Sequence, residues 1–385
     1  MYRRFFIAVF LCGCFTNGYN AGRAEAKQIR LASAQVKSEP SAEIVPLLEE
    51  IRKEYNLPAI AAAVVRADGI VSAGAVGVRI AGKPNRVTVA DKFHIGSVTK
   101  PMTATMIAVL VEKGKISWNT TPADVFPEFK DRIHPSLRAI TLEQLLTHRA
   151  GIQSFEQDEE FEILPKFTGN PKAVRRAFAE WILRRGATTP VGEHRYSNAG
   201  YGLAAAMAER ATGKSWESLM RKLLFKPTGM KSGGFGWAAK THPNEPWGHQ
   251  GGDPDFAPHS PHDKYQLQTP IAPAGDVHVS IIDLARFARI HLSGLNGRAG
   301  LLKTDTFEKL HQPIGEYALG WNAQQIKGLP ASTHSGSAGT FYGGIMVYPK
   351  KNIAVVIAIN ASGKGVNEAR NKLYGLLLRK YKAIE

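Results

Sequence analysis

Short apolar runs with strand character lie near both ends of the chain. Two of them, within residues 59–78, are joined by Asp68-Gly69, a pair that predicts a β-hairpin. Near the other end, the runs 341–349 and 353–360 flank Lys350-Lys351-Asn352 and predict a second hairpin. Both ends of the chain are therefore expected to supply strands.

Apolar residues at helical spacing dominate the middle of the chain. After Ser97 this pattern is continuous, and a regular helix is predicted from Pro101, where proline suits a first turn, until Gly114. Further helices are predicted at 41–55, 141–148, 171–185, 199–212, 215–224, 281–293 and 366–381. Residues 229–278 are rich in Gly, Pro and His and are predicted to form long loops.

Strands at both ends with helices between them favour one architecture. An antiparallel sheet would form from both chain ends, flanked by terminal helices, with a mostly helical region inserted, which is an α/β fold of the α+β kind. One domain is predicted over 41–385, with its sheet part at about 41–96 and 300–385 and its helical part at about 97–299. The cleft between the two parts is the expected place for a site.

The first 26 residues have the pattern of an export signal. Two arginines precede an apolar stretch at 5–12, which is too short to span a bilayer. The signal could be cleaved after the small residues at 24–26, or the stretch 11–14 could be a lipoprotein box with Cys14 as the lipidated residue. Residues 27–40 would then form a tether. These features predict an exported protein that is periplasmic or envelope-associated, and a lipid anchor if the second alternative holds.

Composition narrows the function classes. The 385 residues are 44% hydrophobic and 21% charged, as in soluble globular proteins. The net charge of +16 is spread along the chain without a basic run interleaved with aromatic residues, so nucleic acid is not expected as a partner. The only cysteines are Cys12 and Cys14, so no disulfide framework, thiolate metal site or cysteine nucleophile is expected.

Ser97 and Lys100 form the only S-x-x-K in the chain. Residues three apart on a helical turn share a face, and a lysine desolvated in a pocket can take the proton of a serine hydroxyl. The backbone N–H of a serine that opens a helix is also free to stabilise an oxyanion. Alone, the pair is equally compatible with one exposed polar turn.

Tyr196 and Asn198 form the only Tyr-x-Asn, just before a predicted helix. The structural interpretation is that Asn198 caps the helix and Tyr196 packs. The functional interpretation is that the Tyr196 phenol shares a proton with Lys100 while Asn198 donates to a substrate carbonyl.

His334 and Gly336 form a His-x-Gly at the start of the late strands. Glycine there would allow a ligand to approach the strand backbone closely. Two other His-x-Gly triplets, at His94 and His249, fit the pattern equally, and only His334 precedes the C-terminal strand pair.

Taken together, Ser97-Val98-Thr99-Lys100, Tyr196-Ser197-Asn198 and His334-Ser335-Gly336 resemble the three motifs of the serine β-lactamase and D,D-peptidase superfamily. The likeness is to its class C, carboxypeptidase and esterase side, covers roughly 42–380 and includes the stretches 145–151 and 273–294.

The resemblance implies a serine hydrolase that forms an acyl-enzyme on Ser97, with Lys100 and Tyr196 moving protons. It also implies an oxyanion hole from the backbone N–H groups of Ser97 and Ser337, and a substrate lined by Asn198, His334 and Gly336. The expected substrate is a small carboxylic ester or a D-Ala-type peptide, with peptidoglycan as one candidate source, and neither cofactor nor metal is expected.

His334 departs from the family pattern, because β-lactamases usually keep a lysine there. An ordinary histidine is mostly neutral at pH 7, which disfavours efficient hydrolysis of anionic β-lactams. β-Lactamase activity, and a non-catalytic peptidoglycan-binding or sensor module of the same fold, are the alternatives. The sequence does not predict the oligomeric state.

Other hydrolase and nucleotide patterns fit less well. His249, His259, His262 and Asp263 could line a metal site, although Pro261 interrupts helical ligand spacing. The triplet 213–215 imitates the end of a phosphate loop without its first glycine. No G-x-S-x-G occurs, which excludes an α/β-hydrolase elbow.

Overall fold

The computed structural model describes residues 40–252, 255–263 and 267–385. The predicted signal at 1–26 and all but the last residue of the predicted tether lie outside these ranges. Within them, no helix is both long enough and apolar enough to cross a bilayer.

The described strands run from residue 59 to residue 363. They are β1 (Ala59–Arg66), β2 (Gly69–Gly77), β3 (Lys92–His94), β4 (Gly234–Phe235), β5 (Gly248–Gly251), β6 (Phe256–His259), β7 (Val277–Ser280), β8 (Asn322–Ile326), β9 (Leu329–Ser337), β10 (Tyr342–Tyr348), β11 (Ile353–Ile359) and β12 (Ser362–Gly363).

The described helices are concentrated between β3 and β8. They are α1 (Val45–Glu54), α2 (Thr99–Glu112), α3 (Pro122–Val125), α4 (Leu142–Leu146), α5 (Asp158–Phe161), α6 (Pro171–Arg185), α7 (Asn198–Thr212), α8 (Trp216–Leu219), α9 (Lys226–Thr228), α10 (Ala272–Gly275), α11 (Ile281–Leu295), α12 (Thr304–His311) and α13 (Val366–Lys380).

The main sheet is antiparallel and is built from both ends of the chain. Its strand order is β2-β1-β11-β10-β9-β8, so the N-terminal hairpin pairs with the C-terminal strands through β1 and β11. Ala62 lies opposite Ile357 in that central pair. Both hairpins and the α/β class predicted from the sequence are confirmed.

The sheet is buried on both faces because side chains alternate along each strand. On β1, Ile60 and Val64 pack with α1 and α13, while Ala61 and Ala63 belong to the larger core. The larger core contains the apolar side chains of α2 and α11, so it joins the sheet to the helical region. The continuous apolar runs of β1 and β11 reflect this two-sided burial.

Two local predictions are wrong. The helix after Ser97 begins at Thr99 rather than Pro101, so Lys100 is helical even though a following proline disfavours that geometry. The segment 229–278 contains β4 to β7 and α10 rather than only loops. Strands of two to four residues are too short to show an alternating pattern, so the sequence gives no signal for them.

Candidate active site

Ser97 lies in a short 3-10 turn, Gly96–Val98, between β3 and α2. Strand β9 passes against this turn so closely that a Cβ on Gly336 would lie 2.0 Å from the Ser97 amide nitrogen. A Cβ on Gly96, whose φ is +51°, would lie 2.5 Å from the Ser337 amide nitrogen. Both positions therefore require glycine, and the amides of Ser97 and Ser337 meet where the turn contacts β9.

Lys100 lies in the first turn of α2 and is fully buried. Its Nζ is 3.0 Å from Ser97 Oγ, 2.7 Å from Asn198 Oδ1 and 2.9 Å from the carbonyl oxygen of Ala274. Burial holds the pKa of Lys100 well below its usual value, and the negative charge of Glu156 opposes this only in part.

Asn198 reaches Lys100 because Ser197 caps helix α7. The Ser197 hydroxyl accepts from the backbone N–H of Gly200 at 3.0 Å, which leaves Asn198 as the first helical residue. The Asn198 side chain accepts from Lys100 and donates to the carbonyl oxygen of Phe155 at 2.6 Å. The expectation that Asn198 itself might cap the helix is wrong.

Tyr196 lies beside both Ser97 and Lys100. Lys100 Nζ is 4.6 Å from the centroid of its ring. Burial raises the pKa of Tyr196 above its usual value, while hydrogen bonding with the Ser97 side chain acts in the opposite direction. The phenol is therefore protonated at neutral pH.

His334 is buried on β9 and both ring nitrogens have partners. Nδ1 lies 2.8 Å from the carbonyl oxygen of Ser335, so it carries the proton and donates. Nε2 must then accept, and it does so from the Tyr317 hydroxyl at 3.0 Å. Burial, followed by the charge of Lys100, lowers the pKa of His334 to about 3, so the ring is neutral at pH 7.

These residues open into a cleft of about 820 Å³. Ser97, Tyr196, Asn198, His334, Gly336 and Ser337 all line it, so the residues singled out by the three motifs meet around one space. Among the described lining residues, the charged side chains are Glu156 and Asp158, both acidic. Apolar lining comes from Phe161, Leu164, Pro165, Leu267, Ile271, Ala338 and Val366.

Sequence reasoning missed three contributors to this site. Tyr317 precedes β8 and has no motif around it, so only the fold brings it to His334. Ala274 contributes a backbone carbonyl, for which side-chain patterns carry no signal. His148 lies in the stretch 145–151 that resembled the family, and its ring centroid is 4.3 Å from that of Tyr196.

The other patterns have structural roles. His249 is buried, accepts from the backbone N–H of Ala81 at 3.0 Å and donates to the carbonyl oxygen of Asn360 at 2.7 Å. No group of three or more metal-ligating side chains occurs in the described ranges. Gly213 ends helix α7 in the left-handed conformation and Ser215 caps α8, which is an ordinary link between two helices.

Comparison with known proteins identifies the family. Residues 44–379 match the model of the Beta-lactamase family, so the chain belongs to that family. This agrees with the serine β-lactamase and D,D-peptidase resemblance of the three motifs.

Relatives in this family carry several names. The chain is 27% identical to penicillin-binding protein 4 of Amycolatopsis lactamdurans, covering 81% of this chain and 83% of that protein. It is 25% identical to the unguisins hydrolase ungD' of Aspergillus campestris, covering 82% of this chain but only 61% of that protein. Its structure resembles the octameric penicillin-binding protein homologue of Pyrococcus abyssi with a TM-score of 0.70 at 25% identity, covering 87% and 77%.

Proposed function

We propose that this protein is a serine hydrolase that forms an acyl-enzyme on Ser97 and cleaves small carboxylic esters or D-Ala-type amides. The environment of the Lys100 side chain supports this proposal most directly. A buried amine 3.0 Å from a serine hydroxyl, with a lowered pKa, is the arrangement that activates a serine nucleophile.

The hydrogen-bond partners of Lys100 are compatible with the neutral amine that burial favours. Asn198 Oδ1 and the Ala274 carbonyl oxygen are acceptors, and they use the two protons of a neutral amine. Lys100 Nζ lies 3.0 Å from Ser97 Oγ, to which the protonated amine donates, whereas the lone pair of the neutral amine can accept the Ser97 hydroxyl proton. Lys100 can therefore remove the Ser97 proton without first losing its own.

The reaction then follows in two halves. Ser97 Oγ bonds to the substrate carbonyl carbon, its proton passes to Lys100 Nζ, and the carbonyl π electrons move to the oxygen. The amides of Ser97 and Ser337 are placed to donate to that oxygen, at about 3 kcal/mol per donor. Collapse breaks the bond to the leaving group, which takes a proton from Lys100 through Tyr196. In the second half, water bonds to the acyl carbon while its proton passes through Tyr196 to Lys100, and the bond to Ser97 Oγ then breaks as Oγ takes that proton back from Lys100.

Tyr196 is assigned as a proton relay rather than as the first base. Its pKa is raised by burial, so the phenolate is the less accessible form, whereas the Lys100 amine is favoured by the same burial. The raised pKa of Tyr196 and the lowered pKa of Lys100 both fit a phenol that donates its proton to the leaving group and is then reprotonated by Lys100.

A substrate panel tests this function. Purified protein would be treated with a fluorophosphonate probe, a nitrophenyl ester, a chromogenic cephalosporin and a D-Ala-D-Ala peptide, beside Ser97→Ala. We expect labelling and ester hydrolysis that are lost in Ser97→Ala and kept in Ser335→Ala, which removes another hydroxyl of the cleft.

Each other outcome identifies an alternative. Labelling without turnover of any substrate would favour a sensor module, and rapid cephalosporin hydrolysis would favour a β-lactamase. Activity that survives in Ser97→Ala would rule out the proposed nucleophile.

The charges of the cleft favour uncharged substrates over carboxylates. His334 is neutral where many family members carry a lysine, and the described charged residues of the lining are acidic. A substrate carboxylate would therefore meet no compensating charge from these residues. We propose neutral esters and amides as the preferred class, ahead of β-lactams.

His334→Lys tests this preference. A lysine ammonium about 4 Å from a substrate carboxylate contributes a few kcal/mol at most in a partly wet site, so we expect roughly tenfold faster turnover of an anionic ester relative to a matched neutral one. An unchanged ratio would contradict the electrostatic argument while leaving the Ser97 mechanism intact.

We also propose export, since the first 26 residues have a signal pattern. Mass spectrometry of protein recovered from the cell envelope would separate cleavage near residue 26 from lipidation of Cys14. Full-length protein found only in the cytosol would contradict the proposal.

A further inference from the structure

His148 holds the main chain on both sides of Tyr196. The backbone N–H of Arg195 donates to the His148 carbonyl oxygen at 2.8 Å, and the backbone N–H of Ser197 donates to His148 Nδ1 at 3.0 Å. The imidazole also packs on the Tyr196 ring, with centroids 4.3 Å apart. One residue thus fixes the backbone before and after Tyr196 and one face of its ring.

The backbone of His148 is adapted to this contact. Its φ is +60°, a left-handed conformation that is uncommon outside glycine, although histidine adopts it more often than most other residues. This turn lets the carbonyl and the ring of one residue both face the segment 195–197. Strained backbone at a buried position, where only 2% of the residue is exposed, is characteristic of functional sites.

The contact requires one protonation state of the ring. Because Nδ1 accepts an amide proton, the imidazole must be neutral with its hydrogen on Nε2. Nε2 has no hydrogen-bond partner among the described residues, so no second contact of the ring selects this tautomer. The ring is instead selected for its Nδ1 acceptor.

We propose that His148 is a positioning residue for Tyr196, and that its neutral imidazole, through the Ser197 amide, keeps the phenol in line with Ser97 and Lys100. The inference rests on the proposed function, because Tyr196 is assigned there as the proton relay. His148 does not line the cleft and has no part in bond making.

Several titratable groups surround the ring and would report on its charge. They are Lys100, His194, Tyr196, Tyr201, Tyr317 and His334. Burial first, and then the positive charges that Lys100, His334 and His194 carry when protonated, hold the pKa of His148 well below its usual value. Neutral His148 is thus the form present at pH 7.

Two substitutions separate the acceptor from the ring. His148→Phe keeps a ring but removes the acceptor, whereas His148→Asn keeps an acceptor and tolerates the left-handed backbone. We expect His148→Phe to lose about 100-fold in kcat for the nitrophenyl ester with KM changed less than about threefold, as for a misplaced catalytic group. His148→Asn should recover at least about tenfold of that loss.

His194→Phe is the matched control. His194 is exposed and its ring is 6.0 Å from that of His148, but it makes neither of the two backbone contacts. We expect its kcat to stay within about threefold of the wild type. An Asn variant no better than the Phe variant, or a His148→Phe enzyme as active as wild type, would overturn the inference.

A double-mutant cycle distinguishes positioning from a general structural role. If His148 acts through Tyr196, His148→Phe should cost less than about threefold in a Tyr196→Phe background. An equal loss in both backgrounds would overturn the inference without touching the Ser97 mechanism. Absence of Ser97-dependent labelling in the wild type would instead contradict the proposed function.

Nitrogen NMR of the wild-type protein provides a test that needs no variant. Histidine labelled with 15N should show His148 as the neutral Nε2–H tautomer at pH 7. The Nδ1–H tautomer or a charged ring at that pH would overturn the inference even if His148→Phe failed to fold.

Discussion

Two fully buried basic side chains have opposite surroundings. On α6, Arg175 donates to Glu209 Oε1 at 3.0 Å from Nε and 2.6 Å from Nη2, and to Glu217 at 2.9 Å. On α2, Lys100 contacts a hydroxyl, an amide oxygen and a backbone carbonyl, all uncharged. Both residues have 0% of their surface exposed.

The contrast shows that burial alone does not produce a reactive base. Burial penalises the charge of either side chain, and the two carboxylates beside Arg175 offset that penalty. Lys100 has no such partner at hydrogen-bond distance among the described residues, so burial lowers its pKa. The Arg175 cluster therefore suits a structural role, and the Lys100 site suits the proton transfer proposed above.

Substitution of Lys100 should have the largest effect. We expect Lys100→Met to lower kcat/KM for a nitrophenyl ester by about 10³-fold or more, because the base is removed. Lys100→Arg should be equally inactive, since a guanidinium stays protonated. Steady-state kinetics with both variants measures this.

The stability of Lys100→Met completes that prediction. Loss of the hydrogen bonds to Asn198 and Ala274 is offset by removal of a buried amine, so the free energy of unfolding should change by less than about 2 kcal/mol. Substantial activity in Lys100→Arg would contradict the idea that position 100 needs a side chain able to become neutral.

Arg175→Met should reverse the pattern. Its removal leaves the carboxylate of Glu209 buried beside Glu217, which we expect to cost about 3–5 kcal/mol in the free energy of unfolding. The kcat/KM of the folded fraction should remain within about threefold of wild type. Urea unfolding measures the first quantity and kinetics the second.

Arg176→Met is the control for Arg175. Arg176 follows Arg175 in sequence but lies on the surface, where 52% of its side chain is exposed and it pairs with Glu128 at 3.1 Å. Such a pair contributes about 1 kcal/mol or less. Equal destabilisation by both variants would mean that burial of the Arg175 cluster is irrelevant.

Counted per residue and apart from the controls, the smallest expected effect concerns buried histidines, whose charged form is penalised by burial as that of Lys100 is. Burial lowers the pKa of His334 to about 3 and that of His278 to about 4, so the unfolded chain binds protons that the folded chain does not. Stability should therefore fall as pH drops from about 6.5 to 5, by about 2 kcal/mol for each such histidine.

Urea unfolding at several pH values measures this fall in the free energy of unfolding. In His334→Gln the fall should be smaller by the contribution of one histidine. Stability that rises between pH 6.5 and pH 5 would contradict the neutral state of these rings. Burial raises the pKa of Glu156, Glu209 and Asp276, which opposes the fall, so the difference between wild type and His334→Gln is the decisive comparison.

Particular residues show how far the sequence could be followed. Ser97, Lys100, Tyr196 and Asn198 were selected from spacing, and the fold brings all four together. Helix α6 was predicted with its observed ends, because Asn170 caps it, Pro171 opens it and Gly186 follows it. Local signals of this kind act within a few residues, so they can be predicted from the sequence alone.

The pairing of strands that are distant in sequence could be predicted only in general terms. The strand character of both chain ends is local, but the pairing of β1 with β11 joins residues about 300 positions apart. Tyr317 and Ala274 reach the site through such pairing and packing, without any local pattern. The short strands of 229–278 form for the same reason.

By itself, the sequence determined which groups are available for chemistry and which of the longer segments are helix or strand, because backbone preference and periodicity are properties of neighbouring residues. Only the tertiary structure decided their electrostatic state. Desolvation lowers the pKa of Lys100 and of His334. The hydrogen bonds of His148 to the backbone on both sides of Tyr196 likewise join residues that are distant along the chain.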